Sequence, residues 1–71
     1  MAVEVLSPIT GNVWKIVKEV GDEVEEYETI MIMESMKMEI PVEAPQSGKI
    51  IEFKVKEGAS VIEEDIVAIM E

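Results

Sequence analysis

The sequence predicts a small all-β domain, and two observations support this fold class. Runs rich in Val and Ile alternate with turn-forming Gly and Pro, as in short strands joined by turns. The chain also repeats itself, because a shift of 37 positions aligns residues 5–34 with residues 42–71 without a gap. The repeat predicts one domain, residues 1–71, built from two equivalent halves that residues 35–41 connect.

Nine of the thirty aligned pairs are identical, and several are Gly or Pro, the residues that fix backbone geometry. The identical pairs are Val5 and Val42, Pro8 and Pro45, Gly11 and Gly48, Gly21 and Gly58, Val24 and Val61, Glu26 and Glu63, Ile32 and Ile69, Met33 and Met70, and Glu34 and Glu71. The repeat is therefore interpreted as structural. Gly21 and Gly58 are expected at turns with positive φ.

Four strands are predicted in each half of the repeat. In the first half they are residues 2–6, 12–16, a short strand near Val24, and 29–35; in the second they are 38–43, 49–54, a short strand near Val61, and 65–70. Four short strands cannot bury an apolar face alone, so we expect one four-stranded sheet to pack on the other across a pseudo-twofold axis. The architecture expected is a flattened barrel-sandwich hybrid of two antiparallel sheets.

The predicted core consists of aliphatic residues and one phenylalanine on these strands. Its members are Val5, Val13, Ile16, Val24, Ile30, Ile32, Val42, Ile50, Phe53, Val61, Val67 and Ile69. The three aromatic residues, Trp14, Tyr27 and Phe53, are too few for a base-stacking platform and are interpreted as packing residues.

A helix over residues 22–40 is the alternative, since this stretch lacks Gly and Pro and is rich in Glu, Met and Lys. The matching stretch of the second half ends in consecutive apolar residues, 66–69, and a short apolar run bounded by turns fits a buried strand better.

The composition excludes several classes of function. The chain has neither cysteine nor histidine, which removes thiolate nucleophiles, Cys/His zinc sites and the commonest general base. No catalytic residue and no metal site are therefore expected. With a formal charge of −10, the protein would be repelled by nucleic acid and anionic lipid and attracted to basic protein surfaces. The N-terminus shows no signal peptide or membrane span, so a cytoplasmic protein without membrane insertion, monomeric in isolation, is expected.

The candidate site is the tetrad Ser35–Met36–Lys37–Met38, which Glu34 and Glu39 bracket. A two-residue hairpin at Met36 and Lys37 would use a turn type that prefers Gly, Asn or Asp. The same register would place Glu34 opposite Glu39, a mildly destabilising pair of like charges. Two broken local rules at one point predict a site retained for function.

The hexad of residues 34–39 resembles the biotinyl-domain motif, whose usual form is Glu-Ala-Met-Lys-Met-Glu and whose lysine carries biotin. The resemblance extends along the chain, since residues 8–11 are similar to the family's Pro-x-x-Gly, residues 21–24 to its Gly-Asp-x-Val, and residues 44–48 to its Ala-Pro-x-x-Gly. The family's fold, a barrel of two four-stranded sheets with the lysine hairpin at one end and both termini at the other, agrees with the repeat.

The resemblance implies a biotin carboxyl carrier rather than an enzyme. A biotin protein ligase would attach biotin to Lys37, and the biotin would then carry CO2 from a biotin carboxylase to a carboxyltransferase or decarboxylase. Glu34, Ser35, Met36, Met38 and Glu39 would be read by the ligase or these partners. Ser35 departs from the family's Ala. The equal spacing of the two Gly pairs, 11 to 21 and 48 to 58, leaves no room for the inserted thumb of some carriers, so the chain looks thumbless.

Two other functions remain open from the sequence. A lipoyl domain shares the barrel and the hairpin lysine and serves acyl transfer; Met36 and Met38 argue against it, although acceptance of both biotin and lipoate stays possible. An unmodified hybrid-barrel interaction module, in which Lys37 is incidental, is the third alternative.

Overall fold

A computed structural model describes residues 2–71; Met1, with which the predicted domain begins, lies outside the described residues. The described chain forms eight strands. They are β1 (Val3–Leu6), β2 (Gly11–Ile16), β3 (Glu23–Val24), β4 (Thr29–Ser35), β5 (Met38–Glu43), β6 (Gly48–Phe53), β7 (Ser60–Val61) and β8 (Ile66–Met70). The eight predicted strands are confirmed to within one residue at their ends where ends were given. The helix over residues 22–40 is wrong, because this stretch forms β3, β4 and the start of β5, whose partners supply the backbone hydrogen bonds.

The strands form two four-stranded antiparallel sheets, in the orders β1-β8-β6-β3 and β5-β4-β2-β7. The predicted fold class is confirmed, but the halves of the repeat are not separate sheets. Each sheet takes two strands from each half, so neither half completes a sheet alone. The start of β1 pairs with the end of β8 through Val3 and Met70, which brings the two ends of the described chain together.

The pseudo-twofold symmetry extends to single hydrogen bonds. The Gly21 N–H donates to the Ile50 carbonyl over 2.7 Å, and its equivalent, the Gly58 N–H, donates to the Val13 carbonyl over the same distance. Both glycines have positive φ, 97° at Gly21 and 90° at Gly58, as the sequence predicted. The repeat in sequence is thus a repeat in backbone geometry, and one half serves as an internal reference for the other.

Bulges interrupt the register at equivalent places in both sheets. Trp14 is the extra residue in β2 opposite β4, and Ile51 is its counterpart in β6 opposite β8. A second pair of irregularities lies at Ile30 in β4 and Val67 in β8. An extra residue shifts the alternation of side chains between the faces of a sheet. Consecutive residues such as Ile30 and Met31 are therefore both buried.

These bulges account for most differences between the predicted and the observed core. Eight predicted members are buried: Val5, Val13, Val24, Ile30, Val42, Ile50, Val61 and Val67. Ile32 and Ile69 are only partly buried, because the inward positions next to them are taken by Met33 and Met70. Ile16 and Phe53 pack against the core from its edge. The prediction omitted buried residues that the structure adds: Met31, Met33, Ala44, Ala68 and Met70.

Two of the three aromatic residues do not pack as predicted. Trp14 is 48% exposed on its bulge, and Tyr27 is 67% exposed in a turn with φ of 69°. Phe53 is partly buried and packs against the core. The interpretation of Trp14 and Tyr27 as packing residues is therefore wrong, and the exposure of Trp14 calls for another explanation.

Candidate functional site

The candidate site is the hairpin that joins β4 to β5. Ser35 pairs with Met38 and Glu34 pairs with Glu39, which leaves Met36 and Lys37 as the two residues of the turn. This is the register that the sequence predicted, with the two glutamates directly opposite each other.

The turn has left-handed backbone geometry at both of its central residues. Met36 has φ of 51° and Lys37 has φ of 64°. Positive φ at two successive residues is the geometry of a type I′ turn, whose twist matches that of antiparallel strands. A side chain in this region costs about 1–2 kcal/mol per residue in comparison with right-handed backbone. The hairpin therefore holds two residues in a conformation that glycine or asparagine would adopt more easily.

The tip of the hairpin projects into solvent. The Met36 side chain is 91% exposed, Met38 is 61% exposed, and Lys37 between them is exposed as well. Within residues 2–71, the ion pairs formed by lysines join Lys18 to Glu28 and Lys54 to Glu52, and neither involves Lys37. The site thus presents a primary amine between two solvent-exposed thioethers at the end of a paired β-hairpin.

Gly11 supports the base of the hairpin. A Cβ atom at Gly11 would lie 2.6 Å from the carbonyl oxygen of Glu34 and 3.1 Å from the Cβ of Ser35. Contacts of 2.6 Å do not occur with a real Cβ, so β2 can approach the end of β4 this closely only because residue 11 is glycine. Gly11 was part of the Pro-x-x-Gly motif, but its contact with the hairpin was not evident from the sequence.

Ser7 lies beneath the same end of the barrel and was missed by sequence reasoning. It is the one buried polar side chain among residues 2–71. Its hydroxyl lies 2.7 Å from the Ile9 carbonyl and 2.9 Å from the sulfur of Met33, either of which it can donate to. The residue equivalent to Ser7 in the second half is Ala44, and this difference within the repeat is the signal that could have identified it.

The remaining charged features lie away from the hairpin. Lys18 and Glu28 form an ion pair near the opposite end of β4. The Lys18 hydrogen bond holds the pKa of the Glu28 carboxyl below its usual value, with help from the Glu25 N–H, and the same bond to Glu28 raises the pKa of Lys18. An open cleft is also remote from the hairpin. Its lining residues are Glu23, Val24, Glu25, Ser47, Gly48, Lys49 and Glu71.

Residues 2–71 include no helix that is long and apolar enough to span a membrane.

Known proteins match nearly the whole chain. Residues 3–70 match the family model described as "Biotin-requiring enzyme". A biotin/lipoyl attachment protein of Bacillus subtilis is 47% identical over 58 residues, which are 82% of this chain and 80% of that protein. The dihydrolipoyllysine-residue acetyltransferase component of the acetoin cleaving system of the same organism is 42% identical over 69 residues, covering 86% of this chain and 17% of that protein.

The crystal structure of the Kluyveromyces lactis urea carboxylase contains a region with the same fold. It superposes with a TM-score of 0.94 at 39% identity and covers all of this chain, but only 6% of the carboxylase. The chain therefore spans most of a small attachment protein and a small fraction of the larger enzymes that it resembles. On the family match and the relative of similar length, this chain belongs to the biotin/lipoyl attachment family.

Proposed function

We propose that this chain is a biotin carboxyl carrier and that Lys37 is its attachment residue. The observation that carries the proposal is the position of Lys37, exposed in a type I′ turn between two exposed methionines. The other five lysines lie elsewhere, at positions 15, 18, 49, 54 and 56, and none of them stands between two methionines.

The residues of the hairpin fit a covalently attached group. Attachment requires the unprotonated Lys37 Nζ to attack the carbonyl carbon of an acyl adenylate that a ligase has formed from ATP and the free acid. The amide bond forms, the bond to the phosphate breaks with release of AMP, and the amine nitrogen loses a proton. An exposed amine at the tip of a turn can enter the active site of another enzyme without rearrangement of the barrel. Glu34, Ser35, Met36, Met38 and Glu39 surround the amine and are the residues that a biotin protein ligase would read.

After attachment the chain would act as a tether rather than as a catalyst. Bound biotin supplies a ureido ring that can accept and release a carboxyl group. The barrel holds Lys37 on a rigid hairpin, so the attached group reaches the active sites of a biotin carboxylase and of a carboxyltransferase at high effective concentration. The excess of acidic residues, sixteen against six basic ones, favours fast and weak encounters with basic surfaces of these partners.

A lipoyl carrier, or a carrier that accepts both groups, is the second candidate. It is favoured by the names of two relatives, a biotin/lipoyl attachment protein and a dihydrolipoyllysine-residue acetyltransferase component. The methionines on both sides of Lys37 favour biotin.

Parallel labelling reactions test the proposal. The purified protein is incubated with ATP and either biotin and a biotin protein ligase or lipoate and a lipoate ligase, and incorporation is followed by mass spectrometry. We expect rapid incorporation of biotin and much slower incorporation of lipoate. Faster incorporation of lipoate would favour the second candidate, and no incorporation of either group would contradict both.

A further inference from the structure

The outer face of the hairpin sheet carries apolar residues that the fold does not bury. Ile32 of β4 lies between Pro41 of β5 and Lys15 of β2, on the face turned away from the core. Trp14, the extra residue of the adjacent bulge, is 48% exposed on the same side. We call Trp14, Ile32 and Pro41 the outer strip.

The outer strip lies next to the attachment hairpin on the same sheet. Glu34 and Glu39 form the outward pair nearest the turn, and Ile32 with Pro41 is the next outward pair along the two strands. Ile32 is three residues from Ser35, the last residue of β4 before the turn, which is about 10 Å along the strand. A protein that contacts the tip of the hairpin can therefore contact the outer strip at the same time.

The other sheet provides an internal comparison. Its residues equivalent to Trp14, Ile32 and Pro41 are Ile51, Ile69 and Glu4, and Glu52 takes the place of Lys15. Ile51 is the extra residue of the equivalent bulge, but it is 38% exposed and it has acidic neighbours. Both sheets have the same hydrogen-bonding plan, so the fold does not require an exposed tryptophan or an apolar pair at this place.

Exposed tryptophan is typical of protein–protein interfaces. Tryptophan is enriched at the energetically dominant positions of such interfaces, because it buries a large area with few torsions to fix. Acidic side chains lie at both ends of the outer strip, with Glu34 and Glu39 toward the hairpin and Glu43 at the far end of β5, while Lys15 flanks Ile32 on the β2 side. An apolar surface with an acidic border fits a partner with an apolar pocket and a basic border.

We propose that the outer strip is the docking surface for the ligase that modifies Lys37, an inference that rests on the proposed function. A ligase must select one lysine among six and bring the bare side chain into its active site, which requires close contact with the surface around the hairpin. Enzymes that act on the end of a long attached arm can dock farther from the tip. The outer strip is an apolar surface near the hairpin that the counterpart sheet lacks.

The test compares two variants at equivalent bulges, Trp14→Ala and Ile51→Ala. Initial rates of biotin incorporation by a biotin protein ligase are measured over a range of domain concentrations. We expect Trp14→Ala to lower kcat/KM about tenfold, mainly through KM, as for a dominant interface residue, and Ile51→Ala to leave it within about twofold. Equal rates for the two variants would overturn the proposal.

Two further variants keep the test decisive if Trp14→Ala does not fold. Trp14→Ile carries the residue that the other sheet has at this bulge, and we expect it to lose about fivefold in kcat/KM. The Lys37→Arg variant has no amine that could form the amide, because a guanidinium group is not nucleophilic at neutral pH. It keeps the outer strip, so it should compete with the wild type for the ligase. Adding Trp14→Ile to Lys37→Arg should weaken this competition, whereas adding Ile51→Ala should not; equal competition by both double variants would contradict the proposal.

Failure of the docking proposal and failure of the proposed function give different results. If the wild type takes up no biotin, the proposed function fails. If the wild type is labelled and Trp14→Ile is labelled at the same rate as Ile51→Ala, only the docking surface is wrong.

Discussion

Gly11 lies so close to Glu34 that a Cβ atom at position 11 would stand 2.6 Å from the Glu34 carbonyl oxygen. The pseudo-twofold axis relates this contact to that of Gly48 with Glu71, where the same distance is also 2.6 Å. The first contact supports the hairpin, and the second lies at the end of β8. The two glycines therefore offer equal perturbations of the barrel, one at the site and one away from it.

Gly11→Ala and Gly48→Ala should cost similar stability but differ in their effect on labelling. Each added methyl group must displace backbone, and we expect a loss of about 1–3 kcal/mol in the free energy of unfolding, as for overpacked positions. Gly11→Ala should also slow biotin incorporation, because it shifts the base of the hairpin, whereas folded Gly48→Ala should be labelled like the wild type. Urea unfolding and labelling rates measure both effects. Equal labelling of the two variants would show that the contact of Gly11 with Glu34 does not position the site.

The glycines with positive φ should tolerate asparagine better than valine. No atom lies within 4 Å of a Cβ built at Gly21 or Gly58, so the cost of substitution comes from the backbone conformation alone. We expect Gly21→Val and Gly58→Val each to lose about 1–3 kcal/mol and the Asn variants to lose less. Thermal or urea unfolding measures these values. Valine variants as stable as the wild type would contradict the role of these glycines in the repeat.

Met36→Asn should stabilise the hairpin while weakening its function. Asparagine adopts positive φ at lower cost than methionine, so we expect a gain of about 0.5–1 kcal/mol in the free energy of unfolding. Loss of the exposed thioether should slow biotin incorporation. Met36→Leu is the control, because it keeps the volume without easing the backbone, and its stability should change by less than about 1.5 kcal/mol. A large loss of stability in Met36→Leu would mean that Met36 is part of the core.

The pair of Lys18 and Glu28 should make stability depend on pH at both extremes. The folded state lowers the pKa of Glu28, mainly through the hydrogen bond from Lys18. The ionised Glu28 therefore stabilises the fold above the pKa that it has in the unfolded chain, and this stabilisation is lost as the pH falls through the pKa that it has in the folded protein. The folded state raises the pKa of Lys18, so that contribution is present below the unfolded pKa and is lost as the pH rises through the folded value.

Glu28→Gln should therefore lose less stability than the wild type on acidification. Lys18→Met should also lose less stability than the wild type on acidification, though by a smaller difference, because it removes the largest cause of the lowered Glu28 pKa. Urea unfolding at several acidic pH values measures the dependence. The Lys18 and Glu28 side chains are still partly accessible to solvent, at 28% and 34%, so the effects should be small and reduced by salt. Identical pH dependence in all three proteins would contradict the role of the ion pair.

Much of this fold could be predicted from local sequence. The parts that could not be predicted are those that depend on long-range register. The pairing of Glu34 with Glu39 was predictable, because a two-residue turn fixes the register of its own strands. The bulges at Trp14 and Ile51 were not, because they arise from pairing with distant strands. The mixing of both halves in each sheet has the same origin. The irregularity at Ile30 in β4 turns both Ile30 and Met31 inward, and because of this Ile32, predicted to be buried, faces outward while Met33 is in the core.

The candidate site was predicted at the tip and missed at its base. The residues of the turn could be read from the motif and from the broken turn preference. Gly11 and Ser7 act through contacts with β4 that no local pattern specifies. Whether Lys37 is the attachment residue stays a prediction.

The intact mass of the protein after co-expression with a biotin protein ligase, measured for the wild type and for Lys37→Arg, tests the central claim most directly. We predict that the wild type gains the mass of one biotinyl group. The Lys37→Arg variant should keep its unmodified mass, since none of the other five lysines lies in the hairpin. A biotinylated Lys37→Arg variant, or a wild type that stays unmodified, would contradict the assignment.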